Sequence, residues 1–384
     1  MKEPENRGRV PRLRFPEFRE AGEWVIGKVE DLITTVTPPK RLLTTEYLNE
    51  GRYPVIDQSQ KEFSGWTNDT EALINDELPW IIFGDHTCIL KIARRPFVQG
   101  ADGIKIFKPT PSLETEYLYQ CLQFNPIVME EYKRHFATLK NKIMGYPVSR
   151  AEQQKIADCL SSIDDLITLE SQKLNALKTH KKGLMQQLFP AEGETVPRLR
   201  FPEFSGLGGW HVKRLDLCLD YEQPAQYIVS STQYLDSYET PVLTAGKTFI
   251  LGYTNETTGI YKDNLPVIVF DDFTTACKFV DFPFKVKSSA IKILTSRGGS
   301  NIKFMYELLS MVSYEVGAHE RHWISKFAPM VVLVPGPVEQ QWIADCLSSL
   351  DDLITAQAQK VETLKTHKKG LMQQLFPALD EVSA

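Results

Sequence analysis

The chain has 384 residues, of which 24% are charged, and a formal net charge of −5 at pH 7. That length predicts two or three domains, each large enough to bury a core, and so small a net charge does not by itself advertise a polyanionic partner. Six cysteines without a CxxC pair or a His/Cys zinc spacing, no basic apolar leader and no apolar run of roughly 18 residues together point to a reduced, cytoplasmic protein that spans no membrane.

Near the amino terminus stands Val-Pro-Arg-Leu-Arg-Phe-Pro-Glu-Phe (Val10 to Phe18), which returns as Val196 to Phe204. Further on, the 15 residues from Leu177 to Ala191 return letter for letter as Leu364 to Ala378. Identity of that length does not arise by chance, so the chain is a tandem duplication. The offset between copies is 186 at the front and 187 from about residue 54 onward, which places one inserted or deleted residue between Trp24 and the first strong strand. A period this long excludes a solenoid. The sequence divides into a conserved segment (1–23), a variable module (24–150), a conserved helix (151–190), a linker with the repeated motif (191–209), a second module (210–336), a second conserved helix (337–377) and a tail (378–384).

Each module reads as mixed α+β. Apolar runs such as Trp80 to Phe83 and Val267 to Phe270 predict buried strands between turn signals, and helical periodicity occupies residues 114–134, with a counterpart at 302–316. Residues 80–150 carry ten Lys/Arg against six Asp/Glu, whereas residues 44–80 carry two against eight, a split compatible with one face on a polyanion and equally with an ordinary solvated surface. The modules share scaffold positions and differ in loops. Gln58, Ser59, Gln60 and Lys61 stand where the second module has Lys247 and Thr248. Asp85, His86 and Thr87 stand opposite Asp272, Thr274 and Thr275, and Gln99 and Gly100 opposite Lys287, Ser288 and Ser289. Arg134, His135, Lys140 and Lys142 stand opposite Arg321, His322 and Lys326. Amides, hydroxyls and cations on a constant frame are what reading base edges requires, although surface loops also drift neutrally. Asp85 and Asp272 suit a loop cap as well as a base contact.

Catalytic readings find little purchase. Gly246-Lys247-Thr248 mimics the end of a phosphate-binding loop, but Pro241 occupies the position of its required first glycine. No Asn/Asp-Pro-Pro-aromatic motif of an amino methyltransferase and no glycine-rich cofactor loop is present. His135 and His322 lack a carboxylate or nucleophile at motif spacing, so a phosphate contact or a structural role suits them better than acid/base work. No acidic cluster points to a nuclease metal site.

The conserved segments carry a heptad ladder: Ile156, Leu160, Ile163, Ile167, Glu170, Leu174, Leu177, Lys181, Leu184 and Leu188, repeated from Ile343 to Leu375. Each predicts a helix of on the order of 50 Å that stops at Phe-Pro. An apolar seam of that length needs a partner, and two helices related by a twofold axis perpendicular to them pair antiparallel. The polar ladder positions Glu170, Lys181, Gln357 and Lys368 then suit register devices, places where the seam opens toward another chain, or ordinary positions near frayed ends. By the same symmetry the chain ends should lie close together.

Two divergent modules, one with Thr240 to Asn255 (TPVL…GKT…GYTN), each followed by Glu-Gln-Gln-x-Ile-Ala-x-x-Leu at Glu152 to Leu160 and at Glu339 to Leu347, resemble the specificity subunits of type I restriction-modification systems over nearly the whole chain. The resemblance implies an α+β fold with two pseudo-twofold-related target recognition domains separated by two long antiparallel coiled-coil helices. It implies a non-catalytic, cytoplasmic subunit in phage defence. Each domain would read one half of a bipartite asymmetric site on double-stranded DNA, and the helices would set the spacer. Leu184, Leu188, Phe189, Leu371, Leu375 and Phe376 are expected to dock two modification subunits, with two restriction subunits joining them. S-adenosylmethionine, ATP and Mg are expected in those partners and no cofactor or metal in this chain. The loop residues named above are the expected DNA contacts, the Gln, Asp, Ser and Thr among them reading bases and the Arg and Lys holding phosphates. A coiled-coil scaffold with two protein-binding heads is the competing reading.

Overall fold

The computed structural model describes residues 10–101, 103–130, 133–244, 248–312 and 322–377. Two compact units divide the chain: Lys173–Gln357 forms the second, and the residues up to Gln172 and from Ala358 form the first. The division falls within the two long helices, Arg150–Leu188 and Pro337–Leu375, each 39 residues. Each unit therefore holds one module, the start of one long helix and the end of the other.

In the first unit, an antiparallel sheet runs in the order Ile33–Val36, Ile104–Pro109, Trp80–Gly84, Leu90–Ala93. All five residues of Trp80–Gly84 are buried, so both faces of this strand need cover. Strand alternation supplies two sets of side chains. Ile81 and Phe83 pack with Tyr117 and Leu118 of the helix Thr115–Phe124 and with Ile156 and Leu160 of the long helix. Trp80 and Ile82 pack the other way, with Ile56, Phe97, Ile104 and Ile106. A second sheet orders Gly65–Thr67, Tyr53–Ile56, Phe97–Gln99 and Leu73–Ile74, its middle pair parallel. A ribbon of Val25–Lys28 with Ile143–Tyr146 then delivers the chain into the long helix.

The second unit repeats this plan. Its main sheet is Leu219–Glu222, Ile291–Ser296, Val267–Asp271, Cys277–Val280, its smaller sheet Ile250–Thr254, Thr240–Leu243, Lys285–Val286, and its ribbon His211–Arg214 with Val331–Val334. Ile268 and Phe270 face the helix-side core, while Val267 and Val269 face the other. The hairpin turn after the central strand passes through a left-handed residue in both copies, Cys88 at φ 56° and Thr275 at φ 60°. The helix expected at 114–134 is shorter, Thr115–Phe124, and its counterpart is Ile302–Met311, with residues 313–316 of the expected span outside the described residues.

The long helices run antiparallel within each unit, as the ladder predicts. In the first, Asp164 meets Lys368 at 2.6 Å and Glu170 meets Lys360 at 2.5 Å, so one number falls as the other rises. In the second, Lys181 meets Asp351 at 2.7 Å. The polar ladder residues Lys181, Lys368 and Glu170 are thus held in cross-helix ion pairs, and Gln357 is buried. The recurring Glu-Gln-Gln motif acquires a reason. Arg14 grips Glu152 through two bonds of 2.7 Å, and Arg200 grips Glu339 through two of 2.8 Å, all four side chains nearly buried. The next residue clamps the start of the module helix: Gln153 Oε1 accepts from Glu114 N, and Gln340 Oε1 from Asn301 N. Leu13 N donates to Gln374 O, and Leu199 N to Gln187 O, both at 2.9 Å, so the repeated amino-terminal motif seats on the end of a long helix in each unit.

The offset of 187 does not hold throughout. Val29 N donates to Lys142 O and the matching Leu215 N to Met330 O, which makes the local offset 188 in the final strand. The extra residue sits in the preceding turn. Phe136–Lys140 is α-helical, with Leu139 N bonded to His135 O, whereas Trp323–Phe327 is a π turn, with Phe327 N bonded to His322 O. The first copy regains the residue after its strand, where Val148 and Ser149 follow Pro147 and only Gly336 follows Pro335.

Candidate functional site

The first module opens a cleft of about 810 Å³ beside the main sheet. Its wall is the segment from Thr35 to Arg41, its floor Gln99 and Ile104 to Ile106, and its far side Asp85, His86, Arg134 and Phe136. Lys40, Arg41, Lys105 and Arg134 thus surround a polar recess in which Asp85 is the one carboxylate among the described lining residues. Asp85 is occupied: 3% exposed, it accepts a 2.8 Å bond from Phe136 N through Oδ1, and its carbonyl accepts from His135 N. With that carboxylate committed to capping the following turn and Lys40 paired with Asp69 at 2.6 Å, Lys105 and Arg134 leave the open surface of the cleft cationic.

Four of the expected contacts, Asp85, His86, Gln99 and Arg134, come together here. Lys40, Arg41, Lys105, Thr35 and Thr37 were not anticipated. The Lys-Arg pair after Pro38-Pro39 was the available signal, but it lies outside the basic stretch that composition singled out.

The remaining sequence candidates of this module have other surroundings. Ser59 N donates to Asp57 Oδ1, and Thr87 Oγ1 to Gln58 O at 2.9 Å, ties that brace the loop above the cleft, while Gln60 and Lys61 are exposed. Gly100 is required by packing, since a Cβ there would collide with the Tyr47 hydroxyl. His135 is buried, its Nδ1 3.2 Å from Asp85 O. Lys140 pairs with Glu30 at 2.9 Å. Lys142 turns inward to the carbonyls of Asn125 and Pro126, and burial pushes its ammonium down to about 8.

In the second module the matching position is built differently. Main-chain pairing aligns Val36 with Glu222, and Leu42 with Val229, so the one-residue length difference falls in the wall: Thr37–Arg41 becomes Gln223–Ile228, without a cation. Lys292, the counterpart of Lys105, is fully buried, 3.2 Å from Asp272 and 3.0 Å from Gln223 Oε1. Asp272 caps Trp323 N as Asp85 caps Phe136 N. Glu222 accepts from Tyr227 and Gln226, adding an acid where the first module has Val36. Lys287 bonds to the Tyr234 hydroxyl at 3.2 Å, His322 is buried, and Thr248, Thr274, Ser288, Ser289 and Lys326 lie on or near the surface. Lys247, Gly246 and Arg321 lie outside the described residues.

The six residues expected to dock partner subunits are corrected. Leu188, Phe189, Leu375 and Phe376 are at most 4% exposed, and Leu184 and Leu371 pack against the same cores. Phe376 packs against the rings of Tyr117 and Phe124, and Phe189 against those of Trp210 and Phe304, so the helix ends finish their own unit's core. The large apolar side chains the helices do expose include Leu166 and its counterpart Leu353, with Leu169, Val338 and Trp342. Among the described residues no cluster of three or more His, Cys, Asp or Glu could hold a metal ion, and no helix is long and apolar enough to cross a membrane.

Residues 21–179 match the model of the type I restriction modification DNA specificity domain. The chain is 52% identical over 122 residues to the EcoR124I/EcoR124II specificity subunit of the type I restriction enzyme of Escherichia coli, an alignment that spans 30% of this chain and 30% of that relative. In structure it is similar to the type I restriction-modification S subunit of M. genitalium, with a TM-score of 0.72 at 15% identity, covering 97% of this chain and 100% of that one, a likeness of fold. Residues 21–179 thus resemble a type I restriction modification DNA specificity domain, on a frame that the second copy repeats, and the chain spans about a third of the length of the curated relative it matches.

Proposed function

We propose that the chain is the DNA-recognition subunit of a type I restriction-modification complex, each module reading one half of a bipartite, asymmetric target on double-stranded DNA. One observation carries the reading: a shared frame presents two unlike surfaces at the same place, cationic in the first module and acidic and internally paired in the second. A single repeated site on a symmetric ligand would not call for that difference. The cations of the first cleft suit phosphates, and the amides and hydroxyls around both sites suit base edges.

In this reading the long helices fix the spacer between half-sites. Their exposed, repeat-equivalent Leu166 and Leu353 present similar surfaces to two copies of a modification subunit, to which two restriction subunits are added. The chain itself is non-catalytic and cytoplasmic. S-adenosylmethionine, ATP and Mg belong to the partners, which also flip the adenine to be methylated.

Long-read mapping of methylated adenine in a host carrying this chain with its methyltransferase tests the proposal. The expected result is a two-part motif with a fixed spacer, of which exchange of residues 24–149 for another module alters one half only. Alteration of both halves, or a continuous motif, would overturn it. The scaffold alternative expects co-purification with proteins and no duplex binding at low salt.

A further inference from the structure

Gln99 ends the strand Phe97–Gln99 on the floor of the first cleft and is only 5% exposed. Its main chain is fully engaged, pairing in parallel with Ile56 and accepting from Leu42 N at 3.1 Å. Its side-chain amide makes no hydrogen bond to any described residue and faces the recess. The amide's polar atoms open on the cleft, so water or a ligand, rather than the described protein groups, completes their hydrogen bonds.

Packing does not require the amide. The matching residue of the second module is Val286, 0% exposed, pairing in parallel with Leu243 and accepting from Val229 N at 2.9 Å. The same strand, register and main-chain bonds form around an apolar side chain. The amide is therefore directed at whatever enters the cleft, and Arg41, Lys105 and Arg134 beside it select a polyanion.

We infer that Gln99 is a specificity-determining residue of the first module, reading an adenine of its half-site while the neighbouring cations hold flanking phosphates. An amide presents an acceptor and a donor side by side, the pattern that pairs bidentately with N7 and N6 of adenine. The inference rests on the DNA-recognition reading proposed above.

The test measures binding of the complex with its modification subunits to the mapped target and to duplexes with each position of the first half-site changed singly. Gln99→Val, which installs the second module's residue, is expected to lose roughly 10- to 100-fold on the target and to erase discrimination at one A·T position. Its salt dependence and its reading of the second half-site should match the wild type. Gln99→Glu keeps the shape and replaces the donors with acceptors, so preference at that position should move toward cytosine, whose N4 donates. Thermal unfolding confirms that both variants fold. An equal loss on every duplex, or undiminished discrimination at all positions, overturns the assignment of Gln99 while leaving module-wise recognition intact. A wild-type complex that discriminates among none of the duplexes overturns the recognition reading and this inference with it.

Discussion

Lys105 and Lys292 occupy the same strand position in the two modules, and they have opposite fates. Lys105 stands exposed in a cleft with Lys40, Arg41 and Arg134, whereas Lys292 is sealed between Asp272 and Gln223. The backbone around them is the same, so the difference is written in the wall: five residues with two cations in one copy, six without a cation in the other. A duplicated frame can thus turn one position from a cleft-facing charge into part of its own interior by altering a neighbouring loop.

The sharpest way to break this comparison is to remove both lysines in turn. Lys292→Met leaves Asp272 buried without its ion pair and is expected to cost about 3–5 kcal/mol in chemical denaturation. Lys105→Met should change stability by less than about 0.5 kcal/mol. Similar losses from both would mean that the two sites are not differently built. Where the copies agree, the losses should agree: Glu152→Ala and Glu339→Ala each strand a nearly buried arginine, and matched penalties of about 3–5 kcal/mol are expected.

Binding sharpens the same contrast. Arg134→Gln and Lys105→Gln should each lower the slope of log K against log salt by about 0.9 and weaken binding to all duplexes alike, whereas Gln226→Lys in the second wall should raise it. No change in slope would remove phosphates from the first cleft. The smallest effect is expected from rejoining the chain. A permutant linking residue 378 to residue 10 and opened at Gly193 should keep its unfolding temperature within a few degrees, since Leu13 already bonds to Gln374; loss of cooperative unfolding would count against the repeat symmetry.

Sequence alone made the architecture legible because duplication supplied its own alignment. The ladder from Ile156 to Leu188 predicts the helices, and the unbroken apolar run Trp80 to Phe83 a buried strand, while the polar ladder positions left register devices as one of several readings. The cleft was less legible. Asp85 and His135 recur in both copies because they hold a turn, so recurrence marked structure here rather than recognition. Leu188 and Phe376 recur for a similar reason, which exposed the expected partner face as core. Lys40 and Arg41 were passed over because the length change lies beside them, where letter-by-letter comparison loses its footing.

The π turn at Trp323–Phe327 has a consequence for how such modules can vary. One extra residue entering an α-helix rotates everything after it by about 100°, which would swing the apolar seam of Pro337–Leu375 off its partner. Here the surplus is absorbed in a single wide turn and cancelled by a shorter connection immediately before the helix begins. The variable part is thereby insulated in phase from the constant part, so that loops can lengthen and shorten without retuning the helices they feed.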